Sequence, residues 1–193
     1  MKKLSTYLFL IFFGFQTSSL GDDIRDFEIE GMSIGDSLLD YFSEDEIKNN
    51  IMKNYYKYKS NKKFIAVEFN EFPFFETYEN IAVHVKSDDK KYKIYEIGGF
   101  DFYDENIDDC YKKQNEIDKE LAKFFKTAER VEKPEIKGYR DDADGVIKQI
   151  AYYFESRDYA VINCVNYKKW SDTLEMSLIT KELHDRIIII NYY

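Results

Sequence analysis

The sequence predicts an α+β fold: two short helices and then a three-stranded antiparallel meander, followed by one long amphipathic helix packed on a four-stranded antiparallel sheet. Apolar residues recur at helical spacing early in the mature chain and again over residues 106–131. Residues 63–103 and 146–192 instead contain segments in which apolar and polar residues alternate, which is typical of strands. The polar joins between the later segments are short, and short joins favour antiparallel hairpins.

The composition limits the size and the class of the protein. A chain of 193 residues fits one domain or two small ones, and we expect one half at 22–104 and another at 105–193, or one continuous domain. Hydrophobic residues make up 44%, enough for a core, while the net charge of −9 argues against binding to nucleic acid or anionic lipid. AT-rich genomes favour Tyr and Phe codons, so the abundance of these residues does not by itself indicate a binding surface.

The N-terminal residues have the features of a signal peptide. Lys2 and Lys3 give a positive start, an apolar stretch covers residues 4–15, and small residues continue to Gly21. The apolar stretch is too short to span a bilayer comfortably, so we expect cleavage, with a retained anchor as the alternative. The protein is therefore predicted to be periplasmic or secreted, with no membrane span once residues 1–21 are removed.

Cys110 and Cys164 are the two cysteines of the chain, and they lie 54 positions apart. An exported protein with an even number of cysteines is expected to pair them, and closing a loop of this size would stabilise the fold by about 4 kcal/mol. The alternative is a catalytic thiol that works with His84 or His184. No nucleophile motif surrounds either cysteine.

The first half begins with a loose acidic segment at 22–30 and continues with two short helices. Ser33 has an acidic residue three positions later, which predicts a helix N-cap at Ser33. Ser43 and Glu46 repeat this spacing and predict the start of a second helix, which fades near residues 55–58.

Three strands are predicted next. Residues 63–71, 80–86 and 91–103 alternate apolar and polar side chains. Pro73 separates the first two strands, because proline has no amide hydrogen to donate to a sheet. Gly98–Gly99 interrupts the third strand, which predicts a bulge or a bend there.

The second half begins with the long helix at 106–131. Four apolar residues recur at every seventh position along it: Cys110, Ile117, Phe124 and Val131. This pattern predicts one helix whose apolar stripe packs on a sheet, and a short coiled coil is the alternative. Pro134 and Gly138 are expected to end the helical region.

A loop at 139–145 leads into the four strands of the second half. These strands are predicted at 146–154, 157–166, 173–181 and 186–192. The last segment is apolar on both faces, which suits a strand in the centre of a sheet.

Two features were weighed as metal sites. The densest carboxylate cluster is at 141–145, but Arg140 occupies the first position of an EF-hand pattern and no glutamate closes the loop, so we interpret the cluster as a solvated turn. His84, on the polar side of its strand, and His184, in a turn, would need to meet carboxylates to hold zinc. The chain has no Gly-rich phosphate loop, HExxH, GxSxG or CxxC motif, so no catalytic, cofactor-binding or metal-ligating residue is assigned.

Aromatic residues cluster at 55–58 and at 92–103. Such residues most often fill a core between a sheet and a helix, and the alternative is a ligand cup or a partner surface. Tyr192–Tyr193 is interpreted as a cap at the end of the last strand.

The segment Phe27–Asn50 resembles the start of a group of uncharacterised exported proteins from AT-rich marine bacteria, and the resemblance extends over most of the mature chain. Within it, residues 29–39 include Gly31–Met32–Ser33 and are similar to the helix start of small outer-membrane assembly lipoproteins of the BamE type. That family implies an α-α-β-β-β order, which agrees with the order predicted over 33–103. The chain departs from the family in lacking the lipidated cysteine and the Leu-Gly-x-Pro helix end.

The sequence thus predicts a soluble exported protein that binds a partner, such as an envelope protein, without catalysis and through a sheet face or a strand edge. A small-ligand carrier with an aromatic pocket between sheet and helix is the alternative, and a hydrolase that uses scattered carboxylates is a third interpretation. A closed apolar cup would favour the carrier, and two carboxylates about 5–10 Å apart in a cleft would favour the hydrolase. No cofactor and no nucleic acid is expected, and the oligomeric state is left open.

Overall fold

Seven antiparallel strands from both halves of the chain form one sheet, and a short hairpin precedes it. The hairpin consists of β1 (Glu28–Ile29) and β2 (Met32–Ser33). The strands of the sheet are β3 (Phe64–Asn70), β4 (Asn80–Lys86), β5 (Ile94–Phe102), β6 (Glu129–Tyr139), β7 (Asp142–Tyr153), β8 (Tyr159–Asn166) and β9 (Thr173–Ile179). Their order across the sheet is β3-β4-β5-β9-β8-β7-β6.

The helices are α1 (Glu44–Asn49), α2 (Ile107–Phe124) and α3 (Lys181–Asn191), together with single 3₁₀ turns at Ile24–Asp26 and Leu38–Asp40. The structure is a computed structural model that describes residues 23–52, 63–70, 72–139 and 142–191, without the side chains of residues 139 and 187–191. Within these ranges, no helix is long and apolar enough to cross a membrane.

The predicted architecture, with a meander followed by a long helix on a separate four-stranded sheet, is wrong. The molecule is mostly β, and its seven longer strands form a single sheet. The two halves share this sheet because β5 of the first half pairs with β9 of the second, from Glu96 opposite Ile179 to Phe102 opposite Thr173. All residues of β9 are buried, so this strand needs a neighbour on each side. Short joins predict hairpins between consecutive strands, but they carry no information on pairing between distant ones.

The apolar C-terminal segment forms a helix, so the strand predicted at 186–192 is wrong over the residues that the structure describes. At the start of α3, the Leu183 amide donates to the Thr180 hydroxyl at 3.4 Å. His184 therefore lies on a helix and not in a turn. Periodicity alone does not distinguish a buried helix from a buried strand in a short apolar run.

The long helix is shorter than predicted, and a strand that the sequence did not indicate follows it. α2 ends at Phe124, and Val131 lies in β6 instead of continuing the helical stripe. Pro134 and Gly138 lie within β6 at the edge of the sheet, next to shifts in its register with β7. An edge strand tolerates proline because half of its amides have no partner in the sheet.

Of the two short helices, only the second forms. The Glu46 amide donates to Ser43 Oγ at 3.3 Å and the Glu46 carboxylate accepts the Ser43 amide at 2.8 Å, which is the predicted capping box of α1. Ser33 instead lies in β2, where its hydroxyl donates to the Phe27 carbonyl at 2.9 Å. The Asp36 carboxylate accepts the Ser33 amide at 2.9 Å, so the same spacing is satisfied by a local turn.

The main hydrophobic core lies on the side of the sheet that faces α2, which we call the α2 face. Ile162 of β8, Met176 of β9 and Ile97 of β5 belong to this core. Met32 and Leu38 show how the N-terminal segment covers the β3–β5 end, while α2 covers β8 and β9. Strands from both halves therefore share one core cluster.

The outer edge of β3 is covered by the chain itself. Ile51 forms a bridge with Val67, the Met52 amide donates to the Ala66 carbonyl at 2.9 Å, and the Glu68 amide donates to the Asn50 carbonyl at 3.0 Å. β6 forms the opposite edge, and its proline and register shifts make it a poor template for a further strand. Binding is therefore easier to place on a face of the sheet than on an edge.

Candidate functional site

The side of the sheet opposite the α2 face, which we call the cleft face, carries a small apolar cluster and an open cleft. The cluster lies at the start of α3 and consists of Phe64, Ala151, Val161, Ile179 and Leu183. The cleft lies toward the other end of the same face and has a volume of about 1100 Å³. Its floor is formed by β3, β4, β5 and β9, which we call the cleft floor.

A row of residues that are polar except for Phe100 crosses the cleft face at this floor. Asn80, Phe100, Glu175, Asn163 and Gln149 lie opposite one another on five neighbouring strands. The Gln149 amide donates to Asn163 Oδ1 at 2.8 Å, and the Asn163 amide donates to Glu175 Oε2 at 3.4 Å. Glu175 is only 5% exposed. A carboxylate buried in mid-sheet costs free energy that an apolar residue would not, which is typical of a functional position.

The neighbouring row has small side chains, and Ala82 of this row lines the cleft. Ala82, Gly98 and Ser177 lie opposite one another on β4, β5 and β9. A Cβ atom at Gly98 would lie 2.6 Å from Ser177 Oγ, so glycine leaves room for that hydroxyl. Glu68, on β3, accepts the Asn80 amide at 3.4 Å. Both floor carboxylates thus accept a side-chain amide from an adjacent strand.

The loop between β8 and β9, residues 167–172, forms one wall of the cleft. Trp170 is 51% exposed, and its ring contacts Tyr167 edge to face with centroids 5.3 Å apart. Phe102, at the end of β5, also lines the cleft and is 41% exposed. Large apolar side chains that border a cleft and remain half in solvent are typical of a surface that a ligand or partner covers.

Asp142 holds this loop in place. Its carboxylate oxygen Oδ2 accepts the backbone amides of Lys168 at 2.6 Å and Lys169 at 3.3 Å. The hydrogen bond from Lys168 is the main reason that the pKa of Asp142 is lowered. The sequence predicts a solvated turn at 141–145, but Asp142 is buried and ties the start of β7 to the wall of the cleft.

The other end of the loop is fixed to the residues that follow β5. The Tyr103 amide donates to the Asp172 carbonyl at 2.8 Å, and the Asp172 amide donates to the Asp104 carbonyl at 2.7 Å. Burial raises the pKa of the Asp172 carboxyl group, and a hydrogen bond from the Tyr167 amide opposes that rise. Trp170 therefore sits on a loop that is anchored at both ends.

Among the described residues that line the cleft, carboxylates outnumber ammonium groups. The acidic residues that line it are Glu68, Asp104, Glu105, Asp172 and Glu175, and the basic ones are Lys168 and Lys169. The Lys168 ammonium group donates to Asn166 Oδ1 at 2.9 Å, inside the lining itself. The cleft thus has a local excess of negative charge in a chain whose net charge is −9.

The predicted disulfide between Cys110 and Cys164 is confirmed. It joins α2 to β8, with the two Cα atoms 5.9 Å apart and both residues fully buried. The bond lies on the α2 face, away from the cleft. With both sulfurs in this bond, neither cysteine supplies the thiol that the alternative interpretation required.

The two histidines lie outside the cleft lining. His84 is buried on the cleft face, where its Nδ1 lies 2.9 Å from Glu96 Oε2 on the adjacent strand. His184 packs edge to face on Tyr159, with centroids 4.9 Å apart, and burial lowers the pKa of its imidazole. Within the part of the chain that the structure describes, no group of three or more His, Cys, Asp or Glu residues is arranged to hold a metal ion.

Several predicted features lie outside the described residues: the signal segment at 1–21, Arg140 and Asp141, the aromatic residues at 55–58, and Tyr192–Tyr193. Of the second aromatic cluster, Phe100 and Phe102 line the cleft, while Tyr92 and Tyr103 pack against the core of the α2 face. No motif in the sequence indicates a role for loop 167–172. One available signal was that the single tryptophan of the chain stands in an otherwise polar join.

Besides the acidic residues of the cleft, the α2 face carries an acidic residue with a raised pKa, Asp101. Asp101 on β5 is opposite Leu174, and its Oδ1 accepts the Glu79 amide at 3.3 Å. Burial, together with repulsion from the Glu79 carboxylate, raises the pKa of Asp101 to about 6. Asp101 therefore titrates in a mildly acidic range and is a source of pH-dependent stability.

Neither the protein-family models, nor the curated proteins, nor the solved structures with which the chain was compared give a match.

Proposed function

We propose that this chain is an exported, non-catalytic binding module that holds a partner protein in the cleft. The observation that carries the proposal is the cleft itself: about 1100 Å³ in volume, bordered by half-exposed Trp170 and Phe102, with the buried carboxylate of Glu175 in its floor. Aromatic side chains, tryptophan in particular, are enriched in protein-binding surfaces and often dominate their binding energy.

Export to the periplasm or to the medium is supported by two independent features. Residues 1–21 have the charge and hydrophobicity of a signal peptide. The disulfide between Cys110 and Cys164 is of a kind that persists in oxidising compartments and is rare in reducing ones.

The absence of catalysis is supported by the spacing of the two floor carboxylates. Glu68 on β3 and Glu175 on β9 are three strand positions apart. At about 4.8 Å per strand, the backbones of these two floor residues are separated by about 14 Å. The carboxyl groups of a glycosidase pair lie about 5–10 Å apart, so both side chains would have to extend toward each other to form such a pair. Both histidines and both cysteines of the chain, residue types that often serve as base or nucleophile, lie outside the described lining of the cleft.

A partner protein is favoured over a small ligand because the aromatic side chains at the rim remain in solvent. A carrier encloses most of the surface of its ligand. Trp170 at 51% exposure and Phe102 at 41% would stay largely wet around a small molecule bound at the floor, whereas a protein surface would cover both.

Site-specific photo-crosslinking in cells tests this proposal. A photoreactive phenylalanine analogue is placed at position 170, and a matched control carries it at Phe74, which is 43% exposed but is absent from the cleft lining. We expect a discrete crosslinked protein from position 170 and none from position 74. The same adducts from both positions, or no protein adduct from position 170, would contradict the proposal. A small-molecule adduct at position 170 alone would favour the carrier.

A further inference from the structure

We infer that the cleft recognises an arginine side chain presented by a peptide segment of its partner, an inference that rests on the proposed function. Three properties of the cleft lining point to a cation: its charge, its aromatic side chains and the buried carboxylate in its floor. Each is a separate physical reason for a planar, weakly hydrated cation to bind there.

The described lining of the cleft carries an excess of negative charge. The five lining carboxylates lie on three separate segments: β3, the chain that follows β5, and the segment from loop 167–172 into β9. Within the described part of the lining, the lysines are Lys168 and Lys169, and both donate their backbone amides to Asp142. A concave surface with walls of low dielectric constant concentrates the field of such charges, which raises the local concentration of cations.

The aromatic side chains supply faces for a cation. Trp170 is the best cation–π partner among the side chains of proteins, and its edge-to-face contact with Tyr167 leaves half of its surface available. Phe100 and Phe102 lie on the adjacent strand β5. A guanidinium group stacks on such rings more readily than an ammonium group, because it is planar and more weakly hydrated.

The floor supplies a charged acceptor at depth. Glu175 lies on β9, the middle strand of the sheet in the order β3-β4-β5-β9-β8-β7-β6, and is 5% exposed. A carboxylate in such an environment interacts with a cation more strongly than one in bulk water. The long apolar stem of arginine allows its head group to reach the floor while its backbone stays at the rim with the rest of the segment.

The test uses the mature protein and a twelve-residue Gly/Ser peptide with three arginines, labelled with fluorescein. The control peptide replaces each arginine by citrulline, which keeps the shape and removes the charge. Trp170 is the only tryptophan of the chain, so its fluorescence reports directly on the cleft. We expect saturable binding of the arginine peptide with a change in Trp170 emission, and at least about tenfold weaker binding of the citrulline peptide.

Two variants and one matched control connect binding to the cleft. Glu175→Gln is expected to weaken binding of the arginine peptide by at least about fivefold, and Trp170→Ala by a similar factor. Trp170 is half exposed, so Trp170→Ala is expected to fold and to report on binding even if Glu175→Gln does not fold. Glu120→Gln removes one carboxylate from the exposed side of α2 and is expected to leave binding unchanged.

Equal binding of the arginine and citrulline peptides, or an equal loss in the Glu120 and Glu175 variants, would overturn the inference. Free spermidine that displaces the peptide at equal concentration would overturn it as well, since it would show a site for soluble amines. Failure of both peptides while position 170 still crosslinks to a protein would reject the arginine preference and leave the proposed function intact. Loss of that crosslink would reject the proposed function.

Discussion

The two faces of the sheet are built from the same strands, yet one is sealed and the other is open. On β9, Leu174, Met176 and Leu178 face α2 and are buried in the main core. The intervening residues, Glu175 and Ser177, lie on the cleft face and are also buried, but they are polar. Residues that differ by one position therefore serve different purposes, because successive side chains of a strand point to opposite sides.

The α2 face holds the structure together through several kinds of contact. The disulfide joins α2 to β8, and the buried Gln114 amide donates to the carbonyls of Lys148 and Ile162, both at 2.9 Å. Asp118 on α2 accepts the Tyr152 hydroxyl at 2.6 Å and the Arg130 Nε at 2.8 Å. The stability that these bonds give to the α2 face allows the cleft face to keep buried polar side chains, such as Glu175, that lower the free energy of unfolding.

The largest test of this comparison removes the disulfide. Cys110→Ala combined with Cys164→Ala is expected to lower the free energy of unfolding by about 4 kcal/mol, because the unfolded chain regains the freedom of the closed loop. Urea denaturation of the mature protein measures this loss. Crosslinking from position 170 is expected to persist below the melting temperature of the variant.

The control for the disulfide test is the unmodified protein under a reducing agent, which should match the double variant. An unchanged unfolding midpoint would show that the α2 face is stable without its covalent link. Loss of the crosslink in a variant that is still folded would show that the cleft depends on the covalent link of the α2 face.

Two adjacent glycines allow the faces to be compared within one strand. Gly99 lies on the α2 face, where a Cβ atom would be 2.4 Å from carbon atoms of the Tyr78 ring. Gly98 lies on the cleft face, where the nearest atom is Ser177 Oγ, which can rotate away. Gly99→Ala is expected to cost about 3 kcal/mol and Gly98→Ala less than about 1 kcal/mol, measured by urea denaturation. Equal losses would contradict the assignment of the two faces.

The same glycines show what a sequence can and cannot predict. Gly98–Gly99 was expected to mark a bulge or a bend, but β5 keeps its register there and the shift lies between His84 and Val85. A glycine pair indicates that space is needed, without saying whether the backbone or a neighbouring side chain uses it. Tyr78 occupies that space, and it lies twenty-one positions from Gly99 in the chain.

The candidate site illustrates the same restriction. Most strands could be predicted because alternation is local, and the pairing of Cys110 with Cys164 followed from the even number of cysteines. The cleft depends instead on the pairing of β5 with β9 and on the contact of Asp142 with loop 167–172, which join distant parts of the chain. No local pattern encodes either contact.

The smallest expected effect concerns Asp101, an acidic group on the sealed face. Its pKa is about 6 in the folded protein, above the usual value, so the folded state holds its proton more tightly than the unfolded state does. The free energy of unfolding therefore falls as the pH rises from about 4 to about 6. At pH 7.5 Asp101 is ionised in the folded protein, and the full loss of stability from its burial is present. Asp101→Asn is expected to raise stability at pH 7.5 by about 1–2 kcal/mol, after allowance for partial screening by solvent, and to have no effect near pH 4.

Urea denaturation at both pH values measures the difference, with Asp88→Asn in an exposed turn as the control. A gain of equal size at both pH values would show that the ionisation of Asp101 does not destabilise the folded protein, and that the α2 face tolerates this charge.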